Sequence, residues 1–227
     1  MRYKALLFDA DGTLYDFKAS EEYALSHIFA SLDIPYTEEY IKAYHEGNRE
    51  CWKEYEDGSL DMETLKRKRF DLFFDRLGLP HDGKDAGYEY IRLLGEAGIL
   101  IPGAEDFLSA LHGKKDMYII TNGIAYTQHH RIEGSGTGKY YKNIFISEEI
   151  GKAKPDPLFF SHVLSSIGIG REEAIVIGDS ERSDIQGARN AGIRSVYISF
   201  DGSNSSLADH CVHSYSELLT LIDDLDK

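Results

Sequence analysis

Short apolar runs that end directly in polar residues recur along this chain, and they constrain its fold more than any other feature. The first run covers residues 5–8 and stops at Asp9. A continuous apolar run of this length is typical of a strand that is buried on both faces, as in parallel sheets. Similar runs occur at 117–120, 144–146, 174–177 and 195–198.

The segments between these runs carry helical patterns. Phe160, Val163 and Ile167 recur at the spacing of one helix face, and Gly168 follows them as a stop signal. Because strands alternate with helices, the sequence predicts an α/β fold with a doubly wound, Rossmann-like parallel sheet.

Residues 17–97 differ from the rest, because they contain helical patterns and no convincing strand. Leu25 and Phe29, for example, lie on one face of a predicted helix. The 227 residues of the chain correspond to about one and a half domains of ordinary size. We therefore predict an α/β core domain at 1–16 and 98–227, interrupted by an inserted all-helical cap domain at 17–97.

The charge of the chain argues against one broad class of partners. Lys and Arg number 25 and Asp and Glu number 39, which gives a formal net charge of −14. Such a surface repels the phosphate backbone of nucleic acids. No apolar run approaches the roughly 18 residues that would span a membrane. We expect a cytoplasmic protein, a monomer or weak homodimer, with no nucleic-acid or membrane partner.

The candidate functional residues stand where the predicted strands end. In an open α/β sheet, ligands bind beyond the carboxyl ends of the strands. The polar residues at or near these positions are Asp9, Asp11, Thr121, Asn122, Lys154, Asp179 and Asp184. If the strands are parallel neighbours, four carboxylates, a hydroxyl and an ammonium gather at one edge of the sheet.

Four carboxylates cannot share one site unaided. Two unit charges about 4 Å apart repel each other by roughly 4 kcal/mol at an effective dielectric constant near 20. Either some of these carboxylates are protonated or a divalent cation holds them. Oxygen ligands with no His or Cys nearby favour Mg²⁺.

The spacing of Asp9 and Asp11 gives the pair a mechanical interpretation. Residues i and i+2 of an extended strand face the same way. One carboxylate that stays ionised can attack phosphorus, while the second can carry a proton for the leaving group. Gly12 then allows the chain to turn away without a side chain in the site.

Four segments of the chain together resemble the signature motifs of the haloacid dehalogenase superfamily, and they occur in the family's order. They are Asp9-Ala10-Asp11-Gly12-Thr13-Leu14, Ile119-Ile120-Thr121-Asn122-Gly123, Lys154-Pro155-Asp156-Pro157, and Gly178-Asp179 through Asp184. The helical insertion between the first two motifs is similar to the helical cap of that superfamily.

The resemblance implies a role for each motif residue. Asp9 would be the nucleophile and Asp11 the general acid and base. Mg²⁺ would be bound by Asp9, by the backbone carbonyl of Asp11 and by Asp179, with Asp184 supporting this shell through water or by orienting its neighbours. Thr121, the backbone N–H of Asn122 and Lys154 would hold the phosphate.

Two longer stretches favour one branch of the superfamily. Thr121-Asn122-Gly123 followed by Gln128, Arg131-Ile132-Glu133 and Ser135-Gly136, and residues 146–151 leading into Lys154-Pro155, are similar to pyrimidine 5′-nucleotidases. The resemblance therefore implies a phosphomonoester hydrolase that acts on a small phosphorylated metabolite, a nucleoside monophosphate.

Other activities remain open at this point. A sugar-phosphate phosphatase or phosphomutase would use the same core residues. A phosphonate hydrolase would need a cap lysine, for which Lys18, Lys42 and Lys53 are available. A non-enzymatic regulator that is phosphorylated on an Asp is the alternative from another class.

Two conspicuous patterns are given a structural interpretation instead. The glycine-rich stretch 134–139 lacks the spacing of a nucleotide-binding loop, so we predict a flexible turn after a helix. The basic run 66–69 lies on a predicted helix, and we interpret it as a solvated helix face.

Overall fold

The computed structural model describes residues 3–226, and it divides the chain into two compact units. Residues 1, 2 and 227, the outer ends of the predicted core domain, lie outside the described part. We call 3–17, 99–125 and 135–226 the α/β unit, and 18–98 with 126–134 the helical unit. Within residues 3–226, no helix is both long enough and apolar enough to cross a lipid bilayer.

The strands of the described residues form one parallel sheet in the order β3-β2-β1-β4-β5-β6. They are β1 (Ala5–Phe8), β2 (Asp116–Thr121), β3 (Tyr141–Ile146), β4 (Ala174–Gly178), β5 (Arg194–Ile198) and β6 (His210–Val212). The predicted α/β fold class, with a doubly wound parallel sheet and an all-helical insertion, is confirmed.

The apolar runs form the central strands because both of their faces are covered. Every residue of β1 and of β4 is buried. On one side of the sheet, Leu7 and Val176 pack in a cluster with Phe160 and Val163. Burying a large apolar side chain stabilises a fold by about 1.5–3 kcal/mol, so this layer fixes the sheet that positions the strand ends.

Some of the α-helices pack around this sheet, and the others form the helical unit. They are α1 (Phe17–Ser31), α2 (Glu38–Glu56), α3 (Met62–Leu77), α4 (Gly83–Glu96), α5 (Ala104–Leu111), α6 (Ala125–Gly134), α7 (Ser147–Ile150), α8 (Pro157–Ile167), α9 (Gln186–Ala191) and α10 (Tyr215–Leu225). Short 3-10 turns cover Thr137–Tyr140 and Arg171–Glu173, and a π-helical turn covers Glu181–Ile185.

The helical unit is held by aromatic packing and by capped helix ends. The rings of Phe29 in α1 and Phe73 in α3 stack with centroids 5.1 Å apart. Thr37 caps α2 by accepting a hydrogen bond from the Tyr40 amide, and Gly78 ends α3 at a φ of 63°. Both ends agree with the side chains that favour such positions.

Helix α6 follows β2 in sequence but is grouped with the helical unit. The predicted boundaries gave residues 126–134 to the core domain. In the structure, the Thr127 hydroxyl donates to the carbonyl of Ile91 in α4 over 3.1 Å. A Cβ placed on Gly95 would lie 3.1 Å from Cβ of His130, so the bare glycine allows a close approach of α4 and α6.

The basic run 66–69 is not uniformly solvated as the sequence suggested. Arg67 is exposed and pairs with Asp71 at 2.9 Å. Arg69, by contrast, is only 1% exposed and lies inside the helical unit. The helical periodicity turns this fourth basic residue towards Trp52 and Tyr90, and its guanidinium lies over both rings in cation–π contacts.

Candidate active site

The topology of the sheet brings the predicted site residues to one edge. Strand β1 lies between β2 and β4, and all three run parallel. Asp9 follows β1 directly, Thr121 is the last residue of β2, and Asp179 follows β4. Because parallel strands end at the same edge, residues that are more than 50 positions apart in sequence become neighbours.

Lys154 provides the central cation of this edge. Its Nζ donates to Oδ1 of Asp9 over 2.7 Å and to Oδ1 of Asp184 over 2.6 Å. A third bond reaches the Ile120 carbonyl over 2.8 Å. The residue is only 1% exposed, so one buried ammonium holds two buried carboxylates with all three of its protons engaged.

The side chain of Asn122 fixes the segment that carries Lys154. Its Nδ2 donates to the Lys154 carbonyl over 2.7 Å, and its Oδ1 accepts from the Lys154 amide over 2.8 Å. The sequence resemblance assigned only the backbone N–H of Asn122. This side-chain clamp was missed, since no local pattern links two residues that are 32 positions apart.

Gly12 leaves room for the carboxylate of Asp179. Gly12 has a φ of +75°, and a Cβ built on it would lie 2.1 Å from Oδ2 of Asp179. No side chain fits at that distance, so a glycine is required there for both conformation and space. The Thr13 hydroxyl lies 3.5 Å from the other oxygen of Asp179.

Asp184 is held by both of its oxygens. Oδ1 accepts from Lys154, and Oδ2 accepts from the backbone N–H of Ser180 over 3.1 Å. Its side chain packs against Gly178, where a Cβ would meet Oδ2 at 2.3 Å. These bonds make Asp184 a fixed, fully buried anion beside Lys154.

Several buried carboxylates and one buried ammonium determine the electrostatics at these strand ends. Burial, together with the charge of Asp184, raises the pKa of Asp9 well above its ordinary value, although Lys154 opposes the rise. Burial and the same aspartate raise the pKa of Asp179 to about 7. Burial works against the charge of Lys154, but Asp184 and Asp9 hold its pKa above the ordinary value.

The donor atoms fit a hard divalent cation. Asp9, Asp179 and Asp184 each offer a carboxylate oxygen, and these oxygens lie within 4.8 Å of one another. Burial and the neighbouring carboxylates raise the pKa values of Asp9 and Asp179, and a bound cation would oppose this rise. Oxygen donors of this kind suit Mg²⁺. Because Asp184 already accepts two hydrogen bonds, Asp9 and Asp179 are the freer ligands.

Thr121 and Asp11 complete the set of predicted residues. The Thr121 hydroxyl oxygen accepts from the Gly123 amide over 2.9 Å, which leaves its proton available for another acceptor. Asp11 is half-buried, and its charge helps to raise the pKa of Asp9. All seven predicted residues therefore lie in the same unit, at or after the carboxyl ends of β1, β2 and β4 or just before α8.

A group of hydroxyls supports the loop that carries Asp11, and the sequence did not reveal it. Asp11 forms a β-bridge with Tyr15, and the Gly12 amide donates to the Tyr15 carbonyl over 2.9 Å. The Tyr15 hydroxyl lies 2.6 Å from Oγ1 of Thr137 and 3.3 Å from Oγ of Ser135. The glycine-rich stretch predicted as a flexible turn thus contains a buried anchor, Thr137.

This arrangement of the strand ends agrees with the comparisons to known proteins. Residues 3–192 match the model of the haloacid dehalogenase-like hydrolases. The chain belongs to the haloacid dehalogenase-like hydrolase family. This membership confirms the predicted superfamily, and with it the prediction that the chain is a hydrolase.

Relatives in this family match nearly the whole chain. The HAD-hydrolase YfnB of Bacillus subtilis is 36% identical over 201 residues, which cover 88% of this chain and 86% of YfnB. The pyrimidine 5′-nucleotidase PynA of Streptococcus pneumoniae is 34% identical over 228 residues, covering 98% of this chain and 96% of PynA. The pyrimidine 5′-nucleotidase YjjG of Escherichia coli is 32% identical, covering 87% of each chain.

A solved structure of the family supports the same conclusion. The crystal structure of YfnB bound to magnesium superposes with a TM-score of 0.93 at 33% identity, covering 98% of this chain and all of that one. The fold described above is therefore similar to that of YfnB over the full length of the YfnB chain.

Proposed function

We propose that this chain is a Mg²⁺-dependent phosphomonoester hydrolase that acts through an aspartyl-phosphate on Asp9, and that its substrate is a pyrimidine nucleoside monophosphate. The observation that carries the chemistry is the buried triad of Lys154, Asp9 and Asp184. It fixes a carboxylate beside an ammonium at the edge of the sheet. Phosphoryl transfer depends on such positioning and charge neutralisation.

The reaction proceeds in two displacements. A carboxylate oxygen of Asp9 attacks phosphorus, and the bond from phosphorus to the ester oxygen breaks. Asp11, in its protonated form, gives its proton to the departing alkoxide. The carboxylate of Asp11 then takes a proton from water, whose oxygen attacks phosphorus. The bond from phosphorus to the Asp9 oxygen breaks, which releases inorganic phosphate and restores the Asp9 carboxylate. Two carboxyl groups in different environments can divide these roles between them.

Three groups hold the oxygens of the transferring phosphoryl group. Thr121 has a hydroxyl proton to donate, since its oxygen already accepts from Gly123. The backbone N–H of Asn122 follows on the same strand end, and Lys154 neutralises charge that develops next to Asp9. Donors arranged before the reaction typically contribute about 10²–10³ in rate each.

The carboxylates of Asp9 and Asp179 and the backbone carbonyl of Asp11 would hold Mg²⁺, and Asp184 would keep Lys154 and the Ser180 segment in place. A bound Mg²⁺ supplies charge neutralisation for the phosphate oxygens. It would also relieve the repulsion that raises the pKa of Asp9 and of Asp179.

The substrate class is supported by relatives rather than by the core geometry. PynA and YjjG are both pyrimidine 5′-nucleotidases, and each covers most of this chain. More distant relatives act on other phosphomonoesters, such as a glyceraldehyde 3-phosphate phosphatase that is 28% identical. The relatives thus support phosphate chemistry in general more firmly than any single substrate.

The test is a phosphate-release assay on a panel of phosphorylated metabolites, with Mg²⁺ and with EDTA. We expect the highest kcat/KM for pyrimidine nucleoside monophosphates, loss of turnover in EDTA and recovery when Mg²⁺ is returned. If no phosphomonoester is hydrolysed, the chemistry is wrong. If a sugar phosphate or a triose phosphate gives the highest kcat/KM, only the substrate assignment is wrong.

A further inference from the structure

A cavity lies at the amino ends of the parallel strands, opposite the ends that carry the candidate active site. The cavity has a volume of about 480 Å³ and lies at the amino ends of β4 and β5. Cavities of roughly 300–1,000 Å³ are the size that small ligands occupy. Since Asp9 and Asp179 follow the carboxyl ends of their strands, this cavity is separate from the proposed active site.

Three arginines from three different segments line this cavity. Arg171 begins the turn before β4, Arg189 lies in the last turn of α9, and Arg194 is the first residue of β5. They converge because of the topology: α9 leads the chain from the carboxyl end of β4 back to the amino end of β5. A sequence pattern could not reveal it.

The guanidinium groups are positioned without acidic partners. A Cβ placed on Gly192 would lie 3.2 Å from Nη1 of Arg171, so that guanidinium rests against bare backbone. The guanidinium of Arg194 lies 5.6 Å from the centroid of the Tyr3 ring. Throughout residues 3–226, none of the three arginines has a carboxylate oxygen within 4 Å.

These three arginines stay unpaired within the described part of the chain, although the chain is acidic. Acidic residues outnumber basic ones by 39 to 25, and two lysines near the amino ends of the strands do have acidic partners. Lys4 pairs with Glu173 at 2.5 Å, and Lys115 pairs with Asp226 at 2.6 Å. Three arginines around one cavity therefore keep their positive charge available to a ligand.

Among residues 3–226, neither of the two carboxylates in the lining forms an ion pair with an arginine of the cavity. Oδ2 of Asp209 accepts from the Ser195 amide over 2.8 Å and lies 3.4 Å from the Ser195 hydroxyl. Glu172 is folded back over Gly170, where a Cβ would meet its Oε1 at 2.4 Å. The remaining lining includes apolar side chains, Ile193 and Leu207.

We propose that this arginine cavity binds a small phosphorylated molecule with two or more phosphate groups. The planar fork of a guanidinium matches the oxygens of a phosphate better than any other side chain. Three such groups balance the charge of a diphosphate, which is about −3, better than that of a single phosphate. Binding here does not depend on the proposed hydrolase reaction.

The test uses inorganic pyrophosphate as the probe, with calorimetric titration of the full chain in EDTA. We expect binding to the unchanged protein and at least a tenfold weaker affinity in the double variant Arg171→Gln/Arg194→Gln. The matched control is Lys114→Gln/Lys142→Gln, which removes the same charge from the same edge of the sheet at a different cavity. The control should retain its affinity within about twofold.

Thermal unfolding of each variant shows whether it is folded. If the double variant does not fold, the exposed Arg189→Gln variant replaces it, with at least a threefold loss of affinity expected. Three results would each overturn the proposal: no binding of pyrophosphate at millimolar concentration, unchanged affinity in the arginine variants, or an equal loss in the lysine control. Hydrolysis of a phosphomonoester should stay within twofold in every variant.

Discussion

Two buried cations, Lys154 in the α/β unit and Arg69 in the helical unit, are held in different ways. In the α/β unit, the ammonium of Lys154 donates three hydrogen bonds, two of them to carboxylates. In the helical unit, Arg69 is equally buried, but its Nε only reaches the Leu65 carbonyl at 3.4 Å. Its Nη2 is one of the few buried side-chain atoms of the described chain with no hydrogen-bond partner.

The surroundings of Arg69 strengthen this contrast. Nearby in the helical unit, the Tyr44 hydroxyl and Oδ1 of Asn48 also lack partners among the described residues. Burial raises the pKa of Tyr44 above its ordinary value, so its hydroxyl stays protonated. An unsatisfied buried polar group costs about 1–3 kcal/mol. Lys154 is thus held by hydrogen bonds to two carboxylates, whereas Arg69 rests mainly against aromatic rings.

The largest expected effect is on turnover, in the variant Asp9→Asn. The amide cannot attack phosphorus, so we expect kcat to fall by at least about 10⁴-fold. The fold should be retained, since Asn has the shape of Asp and Lys154 keeps Asp184 as a partner. Phosphate release and thermal unfolding measure the two quantities. An active Asp9→Asn protein would reject the assignment of the nucleophile.

The next effect concerns stability, in the variant Lys154→Met. Removing the ammonium leaves Asp9 and Asp184 as two buried carboxylates without their cation, which costs about 3–5 kcal/mol. Urea unfolding in EDTA measures this loss. The control Lys152→Met removes an exposed lysine that lies 3.8 Å from Asp156, and its effect should stay below about 1 kcal/mol. If Lys154→Met and Lys152→Met are equally stable, the buried hydrogen bonds of Lys154 do not stabilise the fold, and the contrast with Arg69 is wrong.

A smaller effect is expected for the corresponding change in the helical unit, Arg69→Met. The methionine keeps the apolar contacts of the long side chain, while the guanidinium, whose Nη2 has no hydrogen-bond partner in the described chain, is removed. Replacing a buried charge by an apolar side chain is often neutral or stabilising, so we expect the free energy of unfolding to fall by no more than about 1 kcal/mol. The same urea experiment checks this, with Arg67→Met as the exposed control.

If Arg69→Met instead loses as much stability as Lys154→Met, the helical unit organises its buried charge as tightly as the α/β unit does. The contrast between the units would then be wrong. A higher free energy of unfolding in Arg69→Met would strengthen the contrast, because Arg69 would then destabilise the fold.

Much of the α/β unit could be predicted from sequence because its strands are short, apolar and buried on both faces. The run at 5–8 became β1 without a change of boundary, and its following residue Asp9 lies where the prediction put it. Strand β6 was missed, since His210–Val212 has three residues and only Val212 is buried. A strand of that length has no periodicity to detect.

Contacts between distant residues account for the rest of what the sequence did not show. The clamp of Asn122 on Lys154 and the bond between Tyr15 and Thr137 join segments with no local signal. The inward turn of Arg69 was hidden in a run of four basic residues, where composition suggested a solvated face. Residue types at strand ends indicate a reaction, but the side chains that hold them in place depend on the complete fold.

The smallest expected effect concerns an ion pair of the helical unit that depends on pH, between His45 and Glu21. Nε2 of His45 lies 3.0 Å from Oε2 of Glu21, whose other oxygen accepts from the Tyr90 hydroxyl over 2.8 Å. The hydrogen bond to Glu21 raises the pKa of His45, against the opposing effect of burial. The folded chain therefore holds the imidazolium proton more tightly than the unfolded chain does.

The sign of the pH dependence follows from this raised pKa. The stabilisation by His45 is fully present below the unfolded pKa, near 6.5, and it is lost as the pH rises through the higher folded value. In the variant His45→Gln, we expect a stability deficit of no more than about 0.5 kcal/mol at pH 5.5, since the ring is 39% exposed, and almost none at pH 8.5. A deficit in His45→Gln that grows towards pH 8.5 would mean that the neutral ring is the stabilising form, and Glu21 would then be a buried anion held chiefly by Tyr90.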